Sequence, residues 1–443
     1  MLPSNMGPER FLQSHPDPET ALRIRQQMDE VSILIEKLNA RQASSNKVIV
    51  LAATMFLTTS VAYTISQFAD VNTTLSACMP SPYKLFEYGT ARRLLLRLAR
   101  LDLLPVDFAS EDPYLIRDVD YSRRHPRTRP MRLCVPIGLS AGIDLNSDGP
   151  AGLLKLGFGS IEVGTVYVTP QESVGENEVE ILDSTVVASV GRRDATDGLA
   201  AVSDRLCKYI ENRSEDLLTR NTVTGISIGV ESCEDVVRVF QDKRLIASAD
   251  YVSLDVSGLV SEGAVKSVIQ RVDDCAAASD GSIPPIFLKL KLSQSLPPSS
   301  VVAAAISASP FVVGVNINGS GIASSRNGSE VSISGSMVRD KSNEAVSAWY
   351  VALGSGGRGK EIIASGGVAC GKDALDKIEA GAGIVQVFSA FVIDGAQVAR
   401  RIKTQLSIQM MNRGYYNLAE AVGAKHRQPS KRLKEALRRR KRF

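Results

Sequence analysis

Histidine and cysteine, the residues most often found in metal and redox sites, are scarce in this sequence of 443 residues. Its three histidines are His15, His125 and His426, and no two of its six cysteines form a Cys-x-x-Cys pair. Structural zinc sites and redox dithiols depend on such close spacing. The sequence therefore predicts neither a metal site nor a disulfide framework.

The chain also lacks a strong excess of either charge, since its net charge is +4. Residues 425–443, however, contain ten Lys and Arg against one Glu, a net charge of +9, which leaves −5 for residues 1–424. The basic character therefore belongs to the C-terminal tail. Such a tail is either a solvated end, a contact for anionic lipid such as cardiolipin, or a contact for RNA or an acidic protein.

The first 47 residues are too acidic for a typical arginine-rich transit peptide, with six acidic and six basic residues. Between Pro18 and Ala40, apolar residues recur at alternating spacings of three and four, which places them on one side of a helix. They are Ala21, Ile24, Met28, Val31, Ile35 and Leu38. This helix packs either on the protein's own surface or on a partner helix.

Val48–Ala69 comprises 22 residues without a charge. At about 1.5 Å per residue, a helix of this length crosses a hydrocarbon layer of about 30 Å. We interpret it as a transmembrane helix, the alternative being a buried helix. Arg41 and Lys47 precede this segment, and Asp70 follows it. By the positive-inside rule, this charge difference favours a topology in which the N-terminus stays on the side of the membrane that is rich in Lys and Arg.

Beyond this segment, Tyr83–Leu104 has an amphipathic helical pattern that Pro105 ends, and a polar connector runs to about Arg132. Short apolar runs then alternate with helix-like segments; they are 133–139, 160–163, 225–228, 251–255, 286–290, 312–315, 362–365 and 384–387. This alternation predicts an α/β fold, a closed (β/α)₈ TIM barrel, although an open doubly wound sheet has the same local pattern. The predicted domains are 1–47 (amphipathic extension), 48–69 (transmembrane helix), 70–132 (helical region and connector), 133–427 (barrel) and 428–443 (basic tail).

The last two runs carry a pattern typical of phosphate sites. Ile362–Ala390 contains two strand-to-helix turns, one at Ser365-Gly366-Gly367 and one at Ser389. Glycine leaves backbone N–H groups accessible, and helix N-termini attract anions. In a (β/α)₈ barrel the loops after strands seven and eight commonly hold a phosphate, which favours the barrel over the open sheet. The alternative is that the glycine pair forms only a tight turn.

Four motifs resemble the quinone-dependent, class 2 dihydroorotate dehydrogenases of mitochondrial type. They are PIGLSAGIDLNSDGPAGLLKLGFGSIEVGTV (136–166), SGSMVRD (334–340), ASGGVACGKDALDKIEAGAGIVQVFSA (364–390) and AVGAKHR (421–427). The resemblance covers about residues 48–427, including an N-terminal membrane helix and a small helical region. It implies a barrel that holds FMN at its mouth, a serine base, and reoxidation of the flavin by ubiquinone.

The resemblance also implies a set of cofactor-binding residues. The phosphate cup corresponds to Ser334-Gly335, Gly366-Gly367 and Phe388-Ser389, the backbone seat of the flavin to Ala141-Gly142 and Gly164-Thr165, and the lysine near the flavin ring to Lys289. Asn316 is the remnant of a substrate-binding Thr-Asn-Thr triplet. Two alternatives follow: the chain still binds FMN, or it has lost FMN while the turns of the phosphate cup remain.

Several positions depart from the family pattern in the substrate half of the site. A lysine that meets flavin and substrate is replaced by Leu145, and the serine base is replaced by Gly258. Ser227 replaces a flavin-binding asparagine, and Asp255 and Val260 replace two asparagines of the base loop. The family's Asn-Arg-Tyr-Gly-Phe-Asn segment is also missing, since residues 189–194 read SVGRRD instead. Glycine has no side chain to accept a proton. Ser257 could substitute only with a register shift, because neighbouring positions on an extended strand point to opposite faces.

The resulting hypothesis is a catalytically inactive, single-pass relative in the mitochondrial inner membrane that serves as a structural subunit of a larger complex. The predicted protein contacts are the 18–40 helix and the 428–443 tail, and anionic lipid is a second partner for the tail. A barrel that faces the intermembrane space favours lipid or protein over RNA, whereas one that faces the matrix makes ribosomal RNA credible as a partner. The alternative is an active FMN-dependent enzyme, either a dihydroorotate dehydrogenase of pyrimidine biosynthesis or a related flavin oxidoreductase with Asp255 as its acid or base.

Overall fold

The computed structural model describes residues 81–107, 112–121, 125, 127–172, 178–182, 185–190, 195–324, 330–354 and 360–427. The predictions for the 18–40 helix, the 48–69 transmembrane helix and the 428–443 tail lie outside these residues and remain predictions. Within the described ranges, no helix combines the length and the apolar character needed to cross a membrane.

Fourteen strands run through the described ranges. They are β1 (Arg117–Val119), β2 (Met131–Leu133), β3 (Ile137–Leu139), β4 (Ser160–Tyr167), β5 (Glu178–Ile181), β6 (Val186–Val190), β7 (Val223–Gly229), β8 (Tyr251–Asp255), β9 (Ile286–Lys291), β10 (Val312–Asn318), β11 (Gly321–Ser324), β12 (Glu330–Gly335), β13 (Glu361–Ser365) and β14 (Ile384–Val387).

The helices alternate with most of these strands. They are α1 (Tyr88–Arg100), α2 (Pro150–Leu154), α3 (Leu199–Asn212), α4 (Cys233–Gln241), α5 (Lys243–Ser248), α6 (Glu262–Ala278), α7 (Leu292–Ser295), α8 (Ser300–Ala308), α9 (Arg339–Ala352), α10 (Gly371–Ala380), α11 (Ser389–Asp394), α12 (Val398–Arg413) and α13 (Leu418–Ala421). Short 3₁₀ turns lie at Pro82–Lys84, Arg213–Glu215, Ser336–Val338, Gly395–Gln397 and Ala424–His426.

Eight parallel strands form a closed barrel in the order β3, β4, β7, β8, β9, β10, β13 and β14. Closure is set by β14 pairing with β3, where Val385 lies opposite Ile137 and Val387 opposite Leu139. The predicted (β/α)₈ barrel is confirmed, and the open sheet is excluded. Each predicted apolar run overlaps one barrel strand, because strands buried on both faces are largely apolar.

The first apolar run, 133–139, is not a single strand. Leu133 ends β2, Pro136 interrupts the run, and Ile137 begins barrel strand β3. Proline has no N–H to donate to a ladder, so the chain changes direction there. β2 pairs antiparallel with β1, and residues of this hairpin pack on the amino-terminal ends of the barrel strands, including Tyr251 and Phe287. The hairpin closes the amino-terminal end of the barrel.

A second, four-stranded antiparallel sheet covers the other end, in the order β11, β12, β6 and β5. Its strands come from two connections, one after β4 and one after β10, which are the second and sixth strands of the barrel and therefore lie on opposite sides. β12 pairs with β6, and Val187 lies opposite Ser334. The sequence analysis did not predict this sheet, whose strands are short and, apart from β6, alternate or mix polar with apolar residues.

The helical region before the barrel is shorter than its amphipathic pattern. The helix α1 begins at Tyr88 and ends at Arg100, four residues before the predicted end at Leu104. Its buried residues Ala91, Leu95 and Leu98 recur at spacings of four and three, as in an amphipathic helix. Helix α1 packs closely on α2, which places this region directly beside the barrel mouth.

Candidate functional site

A cavity of about 260 Å³ opens at the carboxyl ends of the barrel strands. Its walls come from the segments after β3, β13 and β14 and from the covering sheet. Eight of the residues assigned to the cofactor by resemblance line it: Ala141, Gly142, Ser334, Gly335, Gly366, Gly367, Phe388 and Ser389. Gly164, Thr165, Lys289 and Asn316 are not among its lining residues. The structure thus brings one part of the predicted site together around a cavity and leaves the other part below it.

The backbone conformation of the turn after β13 requires two glycines. Gly366 and Gly367 have φ angles of +99° and +73°, a region that side chains rarely adopt. A Cβ at Gly366 would lie 2.7 Å from the Cα of Gly319, and one at Gly367 would lie 2.4 Å from the Cα of Arg339. No other residue fits here without moving the backbone of a neighbouring segment.

The second turn, after β14, leads into α11. Its N-cap, Phe388, makes no side-chain hydrogen bond to the helix, so the first N–H groups of α11 receive no cap from it. The Ser389 hydroxyl donates to Ser334 Oγ over 2.7 Å, which ties this turn to the covering sheet. Backbone donors and two hydroxyls beside a glycine turn form a chemical environment suited to a phosphate.

Below the cavity, inside the barrel, lies a buried polar network centred on Glu162 of β4. The Glu162 carboxylate is fully buried and accepts four hydrogen bonds from side chains of other barrel strands. The donors are Lys289 Nζ at 2.7 Å, Tyr251 Oη at 3.0 Å, Asn316 Nδ2 at 2.7 Å and Gln386 Nε2 at 2.9 Å. A carboxylate with this many donors is fully satisfied inside the protein.

Lys289, the lysine that resemblance places near the flavin ring, is therefore half of a buried ion pair. Its exposed fraction is 4%, and its ammonium also donates to Ser227 Oγ over 3.1 Å. Burial lowers the pKa of Lys289, but the charges of Glu162 and Asp255 outweigh this effect and raise the pKa above its usual value. Lys289 is thus held in its charged form by Glu162.

A hydrogen-bonded chain continues from this pair toward the mouth. Ser227 Oγ lies 2.9 Å from Thr165 Oγ1, and the Thr165 hydroxyl donates to Asp255 Oδ2 over 3.4 Å. Asn316 Nδ2 also donates to Ser253 Oγ over 2.9 Å, while its Oδ1 is buried without a partner in the described part of the chain. Nearly every polar group here has a protein partner.

The segment that follows β8 lacks a candidate base where the resemblance places one. Gly258 is exposed, with nothing within 4 Å of the position that a Cβ would take, and Val260 is fully exposed. Leu145, at the lysine position of the family motif, is buried with 7% exposure. Neither position presents a polar side chain to the mouth.

Ser257 differs from its expected placement. Strand β8 ends at Asp255, so Ser257 lies in a turn, and the premise of a continuing strand that argued against it is wrong. Its amide donates to Asp255 Oδ1 over 3.0 Å, and its hydroxyl is buried without a partner among the described residues. The turn forms because the Asp255 side chain accepts a backbone N–H two residues later.

Sequence reasoning missed the centre of the network. Glu162 and Gln386 lie within apolar runs, where the pattern indicates only buried strands, and Tyr251 begins another such run. Glu162 itself could have indicated the network from the sequence, because an acidic side chain in a buried strand requires a partner. Among the described residues, no group of three or more His, Cys, Asp or Glu side chains could hold a metal ion.

The fold and the site together define a (β/α)₈ barrel with a phosphate-type pair of turns after its seventh and eighth strands. The dihydroorotate dehydrogenase family model matches residues 128–410, and the chain belongs to that family. It is a divergent member of the quinone-dependent branch, in which the relatives are about 29% identical to it.

Individual relatives match over most of their length. The mitochondrial dihydroorotate dehydrogenase (quinone) of Mus musculus is 29% identical over 373 residues, which cover 79% of this chain and 89% of the mouse protein. The dihydroorotate dehydrogenase (quinone) of Streptomyces griseus is 30% identical over 323 residues, covering 67% and 84%. A crystal structure of the Eimeria tenella enzyme in complex with ferulenol is 25% identical, with a TM-score of 0.66, and the match covers 79% of this chain and all of that chain.

The FMN that the family resemblance implies fits the two ends of this site unequally. The phosphate end fits, because the cavity, the glycine turn and the uncapped start of α11 remain. The ring end fits only in part, because Ser227 stands where the family has a flavin-binding asparagine and bonds to Thr165 and Lys289. We therefore assign no reaction step to a flavin in this chain.

Proposed function

We propose that this chain is a catalytically inactive member of the dihydroorotate dehydrogenase family that acts as a membrane-anchored structural subunit of a larger mitochondrial complex. The observation that carries the proposal is the chemistry of two positions, Gly258 and Leu145. Gly258 has open space instead of a base, and Leu145 is a buried apolar residue instead of a cation. Loss of general base catalysis alone typically costs about 10²- to 10⁴-fold in rate.

The direct test is dihydroorotate oxidation by the full-length protein supplied with FMN and a quinone. We expect no quinone reduction above the protein-free rate, with the mouse relative as the active control. A triple variant, Gly258→Ser with Leu145→Lys and Asp255→Asn, checks whether restoring the family residues is enough to restore activity. Turnover by the unmodified protein would overturn the proposal.

The location and the anchor belong to the same proposal. Support for the mitochondrion comes from relatives of Mus musculus and Oryza sativa whose names include that compartment. Support for a single-pass anchor comes from the 22 uncharged residues of Val48–Ala69. Alkaline extraction of purified mitochondria tests both, because an integral protein stays in the membrane pellet and a variant that lacks residues 48–69 enters the supernatant.

The proposed contacts are the 18–40 helix and the 428–443 tail. We expect deletion of either segment to shift the protein from a large assembly to a smaller species on native gels. A tail variant with its Lys and Arg residues changed to Gln separates charge from chain length. Anionic lipid is then tested with cardiolipin vesicles, and RNA by nuclease treatment. Unchanged migration of both deletion variants would contradict the subunit role.

A second candidate function is a flavin oxidoreductase that uses a less anionic donor than dihydroorotate. The observation in its favour is Asp255, a half-buried carboxylate at the end of β8 that accepts hydrogen bonds from Thr165 and from the Ser257 amide. A carboxylate at this position repels an anionic substrate and could move a proton. If the protein oxidises another donor, Asp255→Asn abolishes that activity while leaving the fold intact.

A further inference from the structure

A second pocket lies beside the barrel, between the segments that follow β8 and β9 and the helices α6, α8 and α9. Its volume is about 390 Å³, and none of the residues assigned to the cofactor by resemblance lines it. Much of its wall is apolar, with side chains such as Leu259, Val265, Leu290, Pro297 and Val302. A pocket of this size with an apolar wall and few polar groups is typical of small-molecule sites.

Hydrogen bonds between its own residues fix the walls of this pocket. Gln294 Nε2 donates to the carbonyls of Ser257 and Leu259, each over 3.3 Å, which joins the segment after β8 to α7. Ser261 and Ser299 cap α6 and α8, because each hydroxyl accepts a backbone N–H three residues later, at 3.1 and 3.2 Å. The pocket is therefore formed before a ligand binds, which lowers the entropy cost of binding.

Trp349 on α9 places an unpaired donor in the wall. The exposed fraction of this residue is 0%, and its indole N–H has no acceptor in the part of the chain that the structure describes. Native proteins leave few buried N–H groups without a partner, because each one costs free energy. An indole N–H can donate but cannot accept. Its partner is therefore an acceptor.

The charges around the pocket favour a neutral acceptor. Among the described residues that line it, the one ionisable group is Glu262, an exposed carboxylate in the first turn of α6. This carboxylate repels an anionic ligand, and the lining contains no cation that could pair with one. The start of α8, which has no acidic residue in its first turn, attracts the negative end of a dipole. A carbonyl oxygen meets these conditions.

We propose that this pocket binds a small apolar molecule through a neutral carbonyl oxygen, which accepts a hydrogen bond from the Trp349 indole. The apolar body of the ligand contacts the wall around Val265 and Val302. Gln294 lies in the same wall, so the ligand also stabilises the segment after β8 to which Gln294 is bonded. The site is separate from the cavity at the mouth. The proposal therefore goes beyond the loss of catalysis and does not depend on it.

Trp349 is the single tryptophan of the chain, so tryptophan fluorescence reports on this pocket alone. The full-length protein, purified in detergent, is titrated with cyclohexanone, a small apolar ring with one carbonyl. We expect a saturable change in emission, with a Kd of about 1 mM for a probe of this size. A change that grows only in proportion to the concentration is collisional quenching, and it would overturn the proposal.

A variant tests the hydrogen bond itself. Trp349→Phe keeps an aromatic ring and removes the N–H, and ligand-observed NMR measures the Kd for cyclohexanone without using fluorescence. We expect binding to weaken by about three- to tenfold, the contribution of one neutral hydrogen bond. Tyr350→Phe is the control, because it removes a hydroxyl from the next residue of α9, which does not line the pocket. An unchanged Kd in Trp349→Phe would contradict the assigned donor.

Two charged probes test the neutral acceptor on the unmodified protein, so this result does not depend on the folding of a variant. Cyclohexanecarboxylate is repelled by Glu262, and cyclohexylammonium cannot accept from Trp349. We expect each to bind at least about tenfold more weakly than cyclohexanone. If either binds as tightly as cyclohexanone, the proposal is wrong. Its failure leaves the proposed function intact, because none of these measurements involves dihydroorotate oxidation.

Discussion

The two ends of the barrel mouth differ in the part of the chain that builds them. The phosphate end is made of backbone turns at Gly366-Gly367 and Ser389, whereas the other end carries the substrate half of the site, whose chemistry depends on single positions such as Leu145 and Gly258. A backbone turn that packs on Gly319 and Arg339 cannot change without moving its neighbours. An open position such as Gly258, where a Cβ would meet nothing within 4 Å, can change singly. The fold of the barrel therefore explains the glycine turn by itself, and the turn alone is weak evidence that a phosphate binds there.

The largest expected effect comes from breaking the network at the ring end. Lys289→Met leaves Glu162 as an unpaired buried charge, which costs about 3 to 5 kcal/mol in the free energy of unfolding. Chemical denaturation of the full-length protein measures this loss. Lys208→Met, which removes an exposed lysine paired with Asp204, is the control and should cost less than about 1 kcal/mol.

A double variant identifies the cause of that loss. Glu162→Gln combined with Lys289→Met removes both charges, so we expect it to be more stable than Lys289→Met alone. If the double variant is the less stable of the two, the lysine contributes through packing, and the description of a charge-coupled network is wrong.

An intermediate effect is expected from adding a methyl group at the phosphate end. Gly367→Ala places a Cβ 2.4 Å from the Arg339 Cα at a φ of +73°, which should cost about 1 to 3 kcal/mol. Gly258→Ala is the matched control, because its Cβ meets nothing within 4 Å, and it should change stability by less than about 0.5 kcal/mol. If both variants lose the same free energy of unfolding, the contrast between a position packed against backbone and an open position is wrong.

The smallest effect concerns a second buried lysine, which lies behind the phosphate end. Lys377 on α10 donates to Ser342 Oγ and Asn343 Oδ1, and burial lowers its pKa to about 7 from an ordinary 10.5. Between these values the unfolded chain binds a proton that the folded chain does not, so stability increases as the pH rises. We expect a gain of about 1 to 2 kcal/mol between pH 7 and pH 9 from this group.

Urea denaturation at both pH values measures this gain. Lys377→Met should remove it, whereas Lys372→Met, on the exposed face of the same helix, should keep it. Lys289, whose pKa is raised by Glu162, contributes no such slope in this range. An unchanged slope in Lys377→Met would show that the lysine is charged in the folded protein, as Lys289 is.

The sequence predicted the barrel because eight buried strands leave eight apolar runs, and it predicted the phosphate-type turn because glycine at positive φ is a local requirement. It did not predict the covering sheet, since strands such as Glu178–Ile181 and Glu330–Gly335 are short and alternate polar with apolar residues, unlike the continuous apolar runs of the barrel strands. Nor did it predict the network, which depends on side chains of five barrel strands meeting in the interior. Such meetings follow from the register of the closed barrel, which no local pattern encodes.

The covering sheet also has a consequence for the order of events during synthesis. The contact between Ser334 Oγ and the Val187 carbonyl joins residues 147 positions apart. Closing so long a loop costs chain entropy, and contacts of this kind form late. The mouth is therefore widest while the chain is still being completed. The covering sheet therefore cannot close over the mouth before Ser334 has been synthesised.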